Sequence, residues 1–406
     1  MKTIKDSVHG HIDVQGVARD LLDSSAVQRL RRIRQLGTVS LVYPSANHTR
    51  FEHSIGVYHL VDRSLSHLPI HDQRAETLRA AGLLHDIGHA PFSHNIEDVL
   101  ERHIGKSHDE VADIINGTDI ERILKEHDIS PTEVINLIVG DGQFSDLISG
   151  ELDVDRMDYL VRDAHHTGVP YGTIDHERLV RALTFENGSL VLSEGNVQTA
   201  ESLLIARALM NPTVYNHHVA RISKSILRQA TDQLIETTDI TADEVRRMDD
   251  PALRTALRNH APTEAYANRL DTRTLFKRAL WAELSDVPTD VREADHAQQQ
   301  QWEQQIADRA GVAETDVIID IPDRPSIKES GSQVIVNGEI RPLERESPLV
   351  EALREVQTSQ WRLGVYAPAD VRERIGRKAA DVLGIDIETL INDIRGYPAT
   401  LDDFRQ

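Results

Sequence analysis

The chain has 406 residues, no cysteine, and 66 acidic against 45 basic side chains, for a formal charge of −21. That length exceeds one compact core and predicts two or three units. The absence of cysteine excludes disulfides, thiolate zinc and iron–sulfur sites, so any metal must be held by His, Asp and Glu.

No apolar run reaches the roughly 18 residues of a membrane helix, and the opening MKTIKDSVHG lacks the pattern of a secretory signal. A cytoplasmic location without membrane contact is therefore expected. The anionic field also disfavours duplex nucleic acid. Only 8 of the 45 basic residues are lysine. Arginine in place of lysine on so acidic a chain points to a halophilic, high-salt cytoplasm, where self-repulsion is screened.

From about residue 17 to 165 apolar residues recur three and four apart, as in SSAVQRLRRIRQLG and HSIGVYHLVDRSLSHL, and predict helices. RLVRALTFENGSLVLSE changes period around an Asn-Gly pair, which predicts a small β-hairpin. VQTAESLLIARALMNPTVYNHHVARISKSILRQATDQLIE resumes the helical pattern, with a kink expected near Pro212. EADHAQQQQWEQQ reads as a polar surface helix or linker. Beyond it TDVIIDIP, SQVIVNGEIRPL and WRLGVYAP alternate like strands, while PLVEALREV and PADVRERIGRKAADVL look helical. The expected fold is mainly α, with a small β-hairpin and a C-terminal α+β lobe. The divisions fall at 1–235, 236–300 and 301–406, the last with a role in assembly.

Twelve of the 20 histidines fall between residues 9 and 108. A lone histidine on an apolar helix is usually an ordinary core or surface residue, but His85 and Asp86 follow directly on the apolar run AAGLL, where burial is costly unless both are paired or metal-bound. Further ligands must come from elsewhere, and His53 and Asp155, each at a helix start, are the candidates. Together they make an N2O2 set suited to Mg, Mn, Fe or Zn. A set using His85 and His89 is undercut by Gly88 and Pro91, which break the helix that would align them.

HTRFEHSIG, LLHDIGHAPFSH and LDVDRMDYLVRDAHHTG, in that order, with DSVHGHI and VQRLRRIRQLG before them, resemble the HD-domain phosphohydrolases. Most similar are the deoxynucleoside triphosphate triphosphohydrolases of the SAM-and-HD-domain type. The likeness covers roughly residues 1–235, so an HD helical core is expected, without an amino-terminal SAM module.

The resemblance implies that His53, His85, Asp86 and Asp155 ligate a divalent metal. His89 and His94 would face the phosphates, and His108 with Asp109 would be the catalytic His–acid pair. His94 and His108 compete as proton donor to the departing 5′ oxygen, since either imidazole titrates near neutral pH. Arg50, Arg156 and Arg207 would grip the triphosphate; Arg156 stands where the family usually has lysine. Gln35, Leu36, Tyr159, Asp163 and Tyr215 would surround the sugar, a packed tyrosine excluding a 2′-hydroxyl.

An activating-nucleotide site is implied at Lys2, Asp23, Gln28 and Arg31, with assembly into a dimer or tetramer. The expected reaction is hydrolysis of a dNTP to deoxynucleoside and triphosphate. The alternatives are hydrolysis of another nucleotide phosphate ester, or a catalytically silent nucleotide-sensing oligomer.

Overall fold

The computed structural model describes residues 1–323 and 331–386; the last part of the lobe expected at 301–406 thus lies outside the described residues. The longer helices and the strands are numbered here in chain order. The chain opens with an antiparallel hairpin, β1 (Lys2–Asp6) and β2 (Gly10–Val14), which the helical reading did not foresee.

Where VQRLRRIRQLG predicts an amphipathic helix, the chain makes only Ser25–Arg29 and a tight turn over Leu30–Arg32 before becoming extended at Ile33. Its arginines are drawn off by tertiary partners, Arg29 to carbonyls of Ile87 and His89 and Arg32 to Asp249.

The first body is built round α1 (Arg50–Leu65), α2 (Asp72–Leu84), α3 (Glu97–Ile104) and α4 (Val154–Thr167). Helix α1 starts where Glu52 reaches back to the Thr49 N–H at 2.6 Å, a capping interaction that satisfies an otherwise orphan donor. It is buried on nearly every face, with Phe51, Ile55, Tyr58 and Val61 in the main core. Each such fully buried side chain contributes about 1.5–3 kcal/mol of transfer free energy.

The expected hairpin forms as β3 (Leu183–Glu186) and β4 (Ser189–Leu192). Asn187 and Gly188 both take positive φ between them, the geometry that matches strand twist in a two-residue turn. Helix α5 (Val197–Met210) then gives way at Asn211–Tyr215 to a wide turn closed by Asn216 N–H on the Asn211 carbonyl at 2.7 Å, and α6 (His218–Thr237) continues beyond. Pro212 lies inside this turn, where its missing donor is tolerated.

Next come α7 (Asp250–Asn259), β5 (Lys277–Glu283), α8 (His296–Ala310), β6 (Ile318–Asp320), β7 (Gln333–Val336), β8 (Glu339–Pro342), α9 (Pro348–Gln360), β9 (Arg362–Ala367) and α10 (Arg372–Leu383). EADHAQQQQWEQQ is thus mostly helix α8.

The sheets cross the expected boundary at residue 300. Strand β5 pairs with β9, which also pairs with β6, making a three-stranded sheet covered by α8 and α10. Strands β7 and β8 instead extend the hairpin to the order β3-β4-β7-β8, with β4 and β7 parallel. Their buried faces explain the split: Val334, Leu343, Val350 and Leu353 join the core of the first body, while Leu280, Ile306, Leu363 and Ile375 belong to a separate core.

Candidate active site

Three helix ends bring the ligating groups together. His53 lies in the first turn of α1, His85 and Asp86 follow the last turn of α2, and Asp155 lies in the first turn of α4. His53 Nε2 is 3.3 Å from His85 Nε2, 2.8 Å from Asp155 Oδ1 and 3.7 Å from Asp86 Oδ2. His85 Nε2 is 3.4 Å from Asp86 Oδ1 and 3.8 Å from Asp155 Oδ1.

The tautomers are fixed from behind. His53 Nδ1 donates to Asp158 Oδ2 at 2.7 Å and His85 Nδ1 to the Gly82 carbonyl at 2.9 Å, so both Nε2 atoms turn lone pairs toward two carboxylates. Two facing lone pairs and two anions call for a cation between them. Burial opposes charge on His53, yet hydrogen bonds with Asp155 and Asp158 outweigh it and lift its pKa to about 10, the same demand for positive charge expressed as a proton. The donor set therefore fits a divalent metal.

Asp158 is the group that sequence reasoning missed. Its carboxylate takes His53 on one side, His9 Nε2 at 2.6 Å on the other, and Arg162 Nε at 2.8 Å. Arg162 is fully buried and continues to Asp6 at 2.8 Å. The N-terminal hairpin thereby reaches the back of the ligand cluster. Gly56 of α1 lies directly under this carboxylate; a Cβ there would collide with Asp158 and Arg162.

A second cluster lies beside the first. The rings of His89 and His108 stack at 4.2 Å, and His94 stands edge-on to both. The expected partner of His108, Asp109, touches Nε2 at 3.2 Å and is half exposed. Nδ1 of His108 belongs instead to Glu97, whose other oxygen holds His94 Nδ1 at 2.6 Å. His108 thus meets the expected Asp109 at Nε2 and a second, unforeseen acid at Nδ1, Glu97, whose carboxylate is shared by two imidazoles.

Burial opposes the Glu97 charge but both histidines hold it far below the ordinary range; burial likewise opposes charge on His108, and Glu97 raises its pKa nonetheless. His89 is pushed well down by burial, Arg50 and His108. Glu97 carries little sequence signal, because an acidic residue in a helix's first turn is expected on dipole grounds alone.

Every residue expected around the substrate lines one cavity of about 1040 Å³: Gln35, Leu36, Arg50, Arg156, Tyr159, Asp163, Arg207 and Tyr215. Arg50 is less free than expected, bound to both Asp86 oxygens at 3.0 Å and to Ser93 Oγ at 2.9 Å. Arg156 NH1 rests on the Gly150 carbonyl at 2.8 Å. Tyr215 donates to Asp163 Oδ2 at 2.9 Å while His48 holds Oδ1 at 2.7 Å. Gly331, Ser332 and Gln333, leading into β7, close the far wall.

The four residues expected at a regulatory site stand outside this cavity. Lys2 pairs with Asp23 at 2.5 Å and Arg31 with Gln28 at 2.9 Å, Arg31 lying over the Phe51 ring.

Two family models match the chain, "HD domain" over residues 50–163 and "HD associated region" over 174–393, the second alone spanning more than half of it. An uncharacterised protein of Methanocaldococcus jannaschii is 33% identical over 97% of this chain and 87% of its own length. The chain belongs to the HD-domain phosphohydrolase family.

Among relatives of this HD-domain protein are the deoxynucleoside triphosphate triphosphohydrolase SAMHD1 of Homo sapiens, 27% identical over 59% of the chain, and its Dictyostelium discoideum homologue, 30% identical over 60%. The chain spans about half the length of each, 46% and 52%. The crystal structure of a phosphohydrolase from Bacteroides thetaiotaomicron covers 91% of the HD-domain chain and matches over 100% of its own, with TM-score 0.72 and 27% identity. Among the described residues no helix is long and apolar enough to cross a membrane.

Proposed function

We propose that the protein is a metal-dependent deoxynucleoside triphosphate triphosphohydrolase, taking a dNTP and water to deoxynucleoside and inorganic triphosphate. The carrying observation is one cavity lined both by His85, Asp86 and Asp155 with the imidazoles of His89, His94 and His108 beside them, and by Tyr215 and Asp163, the latter braced by His48 from behind.

His53, His85, Asp86 and Asp155 would hold a divalent cation such as Mg, Mn, Fe or Zn. When bound, it supplies Lewis-acid neutralisation of phosphate charge and activation of water. Arg156 and Arg207 bind the phosphate chain, with Arg50 fixing Asp86 from beside it. The bond broken is that between the α-phosphorus and the 5′ oxygen; water's hydroxyl stays with the triphosphate, and the 5′ oxygen needs a proton. His94 and His108, joined through Glu97, form the unit that delivers it. Tyr215, braced by Asp163, leaves no room for a 2′-hydroxyl and selects the deoxy sugar.

As a finer part of this reading, Lys2, Asp23, Gln28 and Arg31 bind an activating nucleotide and favour a dimer or tetramer. Sedimentation with and without nucleotide tests it: a mass unchanged by nucleotide and by Arg31→Ala removes this part.

The main test incubates pure protein with each dNTP and the matched ribonucleotides in Mg, Mn or Fe, and separates products. Triphosphate and deoxynucleoside are expected. Release of monophosphate with pyrophosphate, or of inorganic phosphate, would refute the reading.

A further inference from the structure

The turn that presents His94 is held in an unusual shape. Phe92 and Ser93 both carry positive φ, 58° and 57°, the left-handed region that side chains other than glycine avoid because Cβ crowds the following carbonyl. Two adjacent residues stay there only where surrounding contacts over-determine them.

The dominant contact comes from outside the residues matched as the HD domain. Asp250, 6% exposed at the start of α7, accepts the Phe92 N–H on Oδ1 at 2.6 Å. Its other oxygen accepts the Arg34 N–H at 3.1 Å. The two segments so joined are also linked directly. Ser93 Oγ donates to the Arg34 carbonyl at 2.6 Å, and Asn95 Nδ2 donates to Thr38 Oγ1 at 3.0 Å. Arg34 immediately precedes Gln35 and Ser93 immediately precedes His94, and both Gln35 and His94 line the cavity.

Each Asp250 oxygen is committed to a different backbone donor. A neutral amide of the same shape keeps one acceptor and sets an NH2 against the other N–H, so no conservative replacement reproduces the clamp. The neighbouring Asp249 serves the helix instead, capping α7 by accepting the Ala252 N–H at 3.0 Å and pairing with Arg32.

We propose that Asp250 is a positioning residue of the active site, one buried carboxylate that sets both the turn aiming His94 and the segment carrying Gln35. It touches no substrate and acts through these two neighbours. The inference rests on the preceding reading that His94 and Gln35 face the substrate, but the clamp itself has a readout independent of that reading.

The test compares Asp250→Asn with Asp249→Asn. Thermal melting gives the stability loss of each, and kcat for dNTP is measured well below both transitions. Spectra of protein labelled at the histidine ring carbon, with the His94 signal identified by its loss in His94→Gln, report the imidazole without any substrate.

Asp250→Asn is expected to lower kcat by about tenfold to a hundredfold, the scale of a catalytic group displaced by about 1 Å. It should narrow the preference for deoxy over ribo substrates and shift or split the His94 signal. Asp249→Asn is expected to cost little stability, because asparagine caps a helix about as well as aspartate, with kcat within about twofold of the parent and an unmoved signal.

Equal loss of kcat in both variants, or an unchanged His94 signal in Asp250→Asn, overturns the proposal. If the parent releases no triphosphate, the functional reading fails while the His94 signal still decides the clamp. If Asp250→Asn does not fold, Ser93→Ala, which breaks the second link between the same segments, must move the signal in the same way; an unmoved signal there overturns the proposal.

Discussion

To take a metal, His53 would have to hold its proton on the nitrogen away from it, and that choice is made by Asp158. Removing the charge while keeping the shape should free the ring: Asp158→Asn is expected to weaken Mn binding by about tenfold to a hundredfold, read by calorimetric titration. Unchanged affinity would mean that His53 is oriented by packing alone. Asp86→Ala should abolish metal binding and turnover while far-ultraviolet dichroism keeps its helical form.

Glu97 makes a different demand. It raises the pKa of His108 and is itself lowered. The stability from His108 is therefore fully present below its ordinary value of about 6.5 and fades as pH rises through the raised one. That from Glu97 is present above about 4.5 and fades as pH falls through its lowered value. With the proton-donating unit intact, kcat should hold to higher pH than in Glu97→Gln, whose basic limb should move toward acid; profiles that superimpose would remove Glu97 from the unit.

At this scale the cluster was legible, because HD and its flanking motifs put His53, His85, Asp86 and Asp155 at helix ends that converge. Glu97 was not, since a helix's first turn already favours acids, nor was Asp158, one of several acids in a carboxylate-rich run; only packing reveals which imidazole each meets.

Helices α1 and α4 meet at Gly56, where nothing larger than hydrogen fits beneath the Asp158 carboxylate. Gly56→Ala is expected to cost about 1–3 kcal/mol in urea unfolding, the usual range for overpacking, and to reduce metal affinity as Asp158 is displaced. A variant as stable and as tight as the parent would show that the helices can part without consequence.

Periodicity and the Asn-Gly pair at 187–188 revealed helices and a hairpin correctly because both are local signals. The pairing of β4 with β7 was beyond reach: Val191 meets Gln333 across a long stretch of chain, and no local pattern encodes a partner so distant. The first hairpin is as local as the second but went unread because its strands are only five residues each and no Asn-Gly pair marks the turn.

The whole molecule carries −21 formal charges, and among the described residues many of its arginines are spent in ion pairs such as Arg162 with Asp6 and Asp158. Screening of the remaining repulsion should raise the melting temperature as KCl goes from about 0.1 M to about 2 M, where the Debye length falls to about 3 Å or less. A melting temperature highest in dilute buffer would mark an ordinary acidic protein. Mainly helical architecture was readable from composition and period, but the division into units was not, because the segment 331–360 returns to the first core while its neighbours on both sides join another.

That return has a consequence for how the protein is made. A ribosome releases His53 and His85 early, yet the wall formed by Gly331–Gln333 can dock only after most of the message has been translated, and parallel pairing across so long a loop closes slowly. Nascent chains therefore pass through a stage that holds the His/Asp cluster but only a partly walled pocket, so that the cavity takes its final shape last.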